Sequence, residues 1–123
     1  MKNCIFCDLP KEKIIIENEL AQAFYDEFPV SKGHILIVPK RHVANFFELE
    51  QKELNDINSL ILECKKIIDN KYSPDGYNIG VNVGEHAGQS VFHVHVHLIP
   101  RYKGDVANPK GGVRGVIPEK QNY

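Results

Sequence analysis

The stretch Phe92-His93-Val94-His95-Val96-His97-Leu98-Ile99 alternates imidazole and apolar side chains without a break until its last step. A period of two fits a β-strand and no helix, because strand side chains point to opposite faces in turn. The pattern predicts a strand over residues 91–100. His93, His95 and His97 then share one face, and Phe92, Val94, Val96 and Leu98 turn into a core. At the usual strand rise, successive imidazoles stand ~6.6 Å apart, so an anion the size of phosphate can rest against two of them. Three readings of the imidazole face compete: a solvated surface that happens to be His-rich, a metal site, or a catalytic face where one ring attacks and another steadies charge.

A strand with one apolar face needs a layer to cover it. Residues 51–70 supply one: Leu54, Ile57, Ile61, Cys64 and Ile68 recur at helical steps. Asn70 is placed to end that helix, and Pro74-Asp75-Gly76 reads as a turn. Residues 14–16 and 20–25 read as a hairpin, residues 34–38 as a third strand closed by Pro39, and residues 77–83 as a fourth. A short helical turn is expected near residues 44–48. The fold class is therefore α+β, a five-stranded antiparallel sheet with one long and one short helix. The 123 residues make one domain over 1–101. A Gly- and Pro-bearing tail, 102–123, is expected to be mostly irregular and to pack on the domain or a partner subunit.

Lys and Arg number 15 against 16 Asp and Glu, a net charge of −1, which argues against a nucleic-acid partner. No apolar run is long enough for a membrane span, and the first residues lack a signal-peptide core, so a cytoplasmic location without membrane association is expected. The three cysteines are Cys4, Cys7 and Cys64. Cys64 falls on the helical stripe and reads as core. Cys4-Ile5-Phe6-Cys7 has the spacing of half a tetrahedral zinc site, with a redox dithiol or two unrelated cysteines as rivals.

The loop before the His-rich strand carries Gly84, Gly88, Gln89 and Ser90. Glycines let backbone N–H groups approach a ligand, and consecutive N–H groups form an anion nest. A phosphate held by backbone, the Ser90 hydroxyl and imidazole together is the expectation.

Taken with Asn82, Gly88-Gln89-Ser90, Ala23-Phe24-Tyr25-Asp26 and the segment from Gly33 through His34-Ile35-Leu36-Ile37-Val38-Pro39-Lys40-Arg41 to His42, the His93–Ile99 run resembles the signature of the histidine triad family. The resemblance spans roughly residues 4–101. It implies an α+β fold, usually joined as a homodimer, and an enzyme acting at the α-phosphate of nucleoside monophosphate derivatives. His95 matches the nucleophile that forms a nucleotidyl-histidine intermediate, and His97 the phosphate-contacting third histidine. Gln89 and Ser90 match contacts to phosphate or leaving group, and Asn82 and Gly88 line the phosphate site. Asp26 matches the carboxylate that binds the ribose, and Phe6, Leu9 and Phe24 the apolar base pocket. The zinc-bearing relatives imply a structural zinc held by Cys4, Cys7, His42 and His93, with no metal needed for the chemistry. His34 and His86 match no functional position.

The implied reaction is hydrolysis of an AMP derivative, whether phosphoramidate, acyl-nucleotide or dinucleoside polyphosphate. The alternatives are a nucleotidyl transferase or phosphorylase, and a non-catalytic purine-nucleotide sensor; Gln89 fits the hydrolases better than the transferases. Glu27 departs from the pattern, since relatives often carry an apolar residue there, beside the ribose. Arg101, Lys103, Lys110 and Arg114 are placed either to meet distal phosphates or simply to solvate the tail.

Overall fold

The computed structural model describes residues 4–123. Its strands are β1 (Ile14–Glu17), β2 (Ala21–Tyr25), β3 (Ile35–Pro39), β4 (Gly76–Val81) and β5 (Val96–Arg101), and its long helix is α1 (Gln51–Tyr72). The strands form one antiparallel sheet in the order β1-β2-β3-β5-β4. Strand alternation divides its residues between two faces. Ala21, Ala23, Ile35, Ile37, Val96 and Leu98 pack with Ile57, Leu60, Cys64 and Ile68 of α1. On the opposite face Phe24, Leu36 and Val38 pack with Cys4 and Phe6 of the N-terminal segment. The α+β architecture follows the sequence expectation.

Three local features differ from it. First, β5 begins at Val96 rather than at residue 91. The β3–β5 ladder ends at the Ile37–Val96 pair and the β4–β5 ladder at Val81–Val96, so residues 91–95 lie outside both. The segment bends at residues 91–93, and the Val94 N–H donates to the Val43 carbonyl. Phe92 is accordingly not in the core; it is 49% exposed.

Second, the buried stripe of α1 runs through Glu53, Ile57, Leu60, Cys64 and Ile68, with Leu54 and Ile61 at its margin. Glu53 is inside because its carboxylate has partners. It accepts from the Glu50 N–H at 2.8 Å and from two guanidinium nitrogens of Arg41 at 2.8 and 3.0 Å. Glu50 and Glu53 together form a capping box at the helix start.

Third, the helix passes Asn70 and stops only at Ser73, whose φ of 51° is left-handed. Its last residue, Tyr72, lies so close to Gly33 that a Cβ there would sit 2.9 Å from the ring, so the turn into β3 needs glycine. The tail makes two short 3-10 turns, Gly112–Val116 and Pro118–Lys120, the first against β4. Arg101 binds both Asp105 and Asn78, tying the start of the tail to the sheet. No helix among the described residues is long and apolar enough to cross a membrane.

Candidate functional site

A cavity of about 730 Å³ opens on the sheet face away from α1. Phe6, Leu9, Phe24 and Leu36 make its apolar walls, Asp26 one polar side, and His95, His97 and Ser90 one end. The size and the few convergent polar groups suit a small-molecule site. The register of the sheet lays this floor out, since His97 lies opposite Leu36, Leu36 opposite Phe24, and Phe24 opposite Ile14.

Only His97 sits within β5, yet the three imidazoles stay together. His95 and His97 have ring centroids 5.2 Å apart, and the Phe6 ring meets His95 at 5.1 Å and His93 at 6.0 Å. What separates the three is the hydrogen bond each ring makes, because that bond decides which nitrogen keeps its lone pair.

His95 Nδ1 lies 2.9 Å from the His93 carbonyl oxygen, which can only accept. The proton is therefore on Nδ1, and Nε2 is the free, basic nitrogen of a ring that lines the cavity. His93 is turned the other way. Its Nε2–H donates to the Pro39 carbonyl at 2.8 Å, leaving Nδ1 unprotonated at 3.4 Å from Cys4 Sγ and 3.5 Å from Cys7 Sγ. His42 Nδ1 is 3.1 Å from Cys7 Sγ. The four ligand atoms all lie within 4.8 Å of one another. A tetrahedral zinc with two thiolates and two imidazoles separates its sulfur and nitrogen ligands by ~3.5 Å, given ordinary bond lengths. The donor set, its spacing and the carbonyl behind His93 all fit such an ion.

His97 belongs to a second chain of bonds. The Val30 N–H donates to His34 Nδ1 at 3.0 Å, so neutral His34 carries its proton on Nε2. That proton points to His97 Nδ1 at 3.0 Å. His97 is thereby left with its proton on Nε2, a donor on a ring 5.2 Å from that of His95. Burial pushes His97 down to about 4, assisted by His95 and His34, with Asp26 opposing. Burial likewise lowers His34, again against Asp26. Both rings thus act as neutral donors near pH 7. Asp26, His34 and His97 also cluster closely enough to suggest a metal. The Val30 bond argues against it, because a metal on His34 Nε2 would leave that ring without any proton.

Motif reading missed His34. It is 2% exposed and in contact with His97, and its only signal in the chain is a lone histidine at the start of a strand. Gln89 stands differently from its expected position. Its side chain is 5% exposed; Oε1 accepts from the Gly84 N–H, and Nε2 donates to the carbonyls of Ala44 and Val91. It clamps the loop rather than lining the cavity. The expected N–H nest is also spent internally. Ala87 and Gln89 N–H donate to Gly84, and Gly88 N–H to Glu85. Asn82 and Gly88 lie side by side outside the lining, and His86 is solvent-exposed.

Residues 10–104 match the family model described as HIT domain. Adenosine 5'-monophosphoramidase hnt1 of Schizosaccharomyces pombe is 41% identical over 103 residues, 80% of this chain and 74% of that protein. The asymmetrical bis(5'-nucleosyl)-tetraphosphatase of the same yeast is 37% identical over 93 residues, 76% of this chain and 51% of that protein. Among solved structures, a zinc-bound histidine triad family protein from Mycobacterium smegmatis superposes with a TM-score of 0.77 at 29% identity, covering 87% of this chain and 81% of that one.

Proposed function

Because the chain belongs to the HIT domain family, we propose that it is a nucleotide hydrolase that cleaves at the α-phosphate of purine nucleoside monophosphate derivatives through a nucleotidyl-His95 intermediate. The observation that carries this reading is the orientation of His95. Its Nδ1–H is held by the His93 carbonyl, and its free Nε2 belongs to a ring lining a nucleotide-sized cavity beside a neutral donor, His97. The names of the two yeast relatives support hydrolysis of an AMP phosphoramidate or a dinucleoside polyphosphate.

The steps follow from these positions. The Nε2 lone pair attacks phosphorus, and the N–P bond forms as the bond to the leaving group breaks. His97 Nε2–H donates to a non-bridging oxygen while charge redistributes there. The exposed Ser90 hydroxyl in the same wall relays a proton from water to the leaving atom. Water then attacks phosphorus, giving a proton to the hydroxide left by the first step; the N–P bond breaks with its electrons returning to Nε2, so the nucleoside monophosphate leaves and His95 is neutral again. Two easier steps replace one hard one. Asp26 presents a carboxylate to the ribose hydroxyls, and Phe6, Leu9 and Phe24 cover the base. Gln89 serves by holding the 84–90 loop against Ala44 and Val91.

Cys4, Cys7, His42 and His93 would hold zinc. With two thiolates and two imidazoles as ligands the ion is closed and structural. It pins the segment bearing Phe6 to the segment bearing His95. The family resemblance also implies a homodimer, for which the outer edge of β4 and the exposed Ile79 offer a surface.

The test is turnover of an AMP phosphoramidate. His95→Ala should lower kcat by roughly 10⁴-fold or more while the protein keeps its fold. Equal rates for the two proteins would end the proposal.

A further inference from the structure

The cavity has a second polar end that the reaction does not use. Lys13 and Glu27 both line it, with Nζ and Oε1 2.5 Å apart and side chains 50% and 64% exposed. Their distance from the chemistry follows from the register. His97, Leu36, Phe24 and Ile14 lie opposite one another across β5, β3, β2 and β1. Three strand spacings of ~4.8 Å put Ile14 about 14 Å from His97. Lys13 immediately precedes Ile14, and Glu27 lies just past the end of β2. A mononucleotide whose phosphorus meets His95 and whose ribose meets Asp26 thus carries its base over Phe24 toward this pair. Phe28, next to Glu27, lines the same rim with 86% of its surface in water. An aromatic ring left that open beside a cavity is a stacking surface without its partner.

We propose that Lys13 and Glu27 read the edge of the base and make the site selective for guanine, with Phe28 stacking on the base without distinguishing it. The two oxygens of Glu27 match the adjacent N1–H and N2–H donors of guanine, and the ammonium of Lys13 matches its O6 acceptor. Adenine offers the carboxylate one exocyclic donor group and no second donor beside it. Charge-assisted, two-pronged recognition is stronger than a single bond and more sensitive to loss of a partner. Glu27 and Lys13 are specificity residues; neither reaches the reacting phosphorus.

This inference rests on the hydrolase reading for the placement of the base, and its test is separable from that reading. Calorimetric binding of GMP and of AMP needs no turnover, and the kcat/KM ratio of the two phosphoramidates follows in parallel. The wild-type protein should bind GMP about tenfold more tightly than AMP. Glu27→Ile should bring the ratio to within about twofold of one, and Lys13→Met should reduce it in part. Phe28→Ala should weaken both nucleotides and keep the ratio. A wild-type ratio at or below one, failure of both nucleotides to bind, or a ratio unmoved by Glu27→Ile would overturn the proposal. A binding ratio that behaves as stated without any turnover would sustain base reading and remove the hydrolase.

Discussion

At the scale of single residues, one backbone or side-chain partner per ring sorts four histidines into different roles. The Pro39 carbonyl turns His93 toward the thiols, the His93 carbonyl turns His95 toward the cavity, and the Val30 N–H acts through His34 on His97. The sequence pattern grouped His93, His95 and His97, because alternation is a local property. It could not show His34, whose part depends on β3 and β5 meeting with Ile35 opposite Leu98. The loop-clamping bonds of Gln89 were hidden for a similar reason, since its Ala44 partner is 45 positions away. The neutral pair His34–His97 has a consequence for pH. An unfolded histidine titrates near 6.5, whereas buried His97 titrates at about 4. Between those values the unfolded chain binds a proton that the folded chain refuses, so stability falls as pH drops from about 6.5 toward 4. His34 shifts the same way. The urea midpoint should be lower at pH 5 than at pH 7, and His97→Asn should flatten the slope. A midpoint that rises on acidification would contradict the assignment.

At the scale of elements, the helix and all five strands were legible from periodicity, and their ends were not. Neighbouring strands decide where β5 starts, so residues 91–95 stay outside the sheet, with bends at 91–93, despite the alternation from Phe92 onward. Glu53 is buried in the helix because Arg41 folds against it, since a charge is buried only when paired. The helix overran Asn70 because Tyr72 packs against Gly33. Ser73 then closes it in a left-handed conformation that costs an L-residue ~1 kcal/mol, with its N–H on the Asp69 carbonyl. Ser73→Gly should therefore raise stability by roughly 0.5–1 kcal/mol, read as a higher denaturation midpoint. A lower midpoint would show that the Ser73 hydroxyl, 3.4 Å from the same carbonyl, matters more than the strain.

At the scale of the whole molecule, the sheet is shared between a core and a site. One face is closed by α1; the other is roofed by the N-terminal segment, anchored by Phe6, Leu9 and the Cys4–Cys7 cluster. Loss of the proposed zinc should loosen that roof. Cys4→Ala should lose bound zinc, melt at lower temperature and bind nucleotide more weakly, because Phe6 is a wall of the cavity. Chelation of the wild-type protein should expose Cys4 and Cys7 to alkylation while Cys64, its thiol pushed up to about 12 by burial in the core, stays unmodified. Unchanged zinc content in Cys4→Ala would refute the ligand set. The imidazole end of the cavity was legible from the His-rich motif, and Glu27 from its departure from the family pattern; the pairing of Glu27 with Lys13 was not, because the fold, rather than spacing in the chain, brings them together.

The central claim is a covalent bond between His95 and phosphorus. Intact-protein mass spectrometry after rapid mixing with a nucleoside phosphoramidate and denaturing quench tests it most directly. The wild-type protein should gain one nucleoside monophosphoryl group, localised by fragmentation to His95 and lost on acid treatment, and His95→Ala should gain none. A wild-type protein that turns substrate over while never carrying the adduct, or that carries it on another residue, would contradict the account.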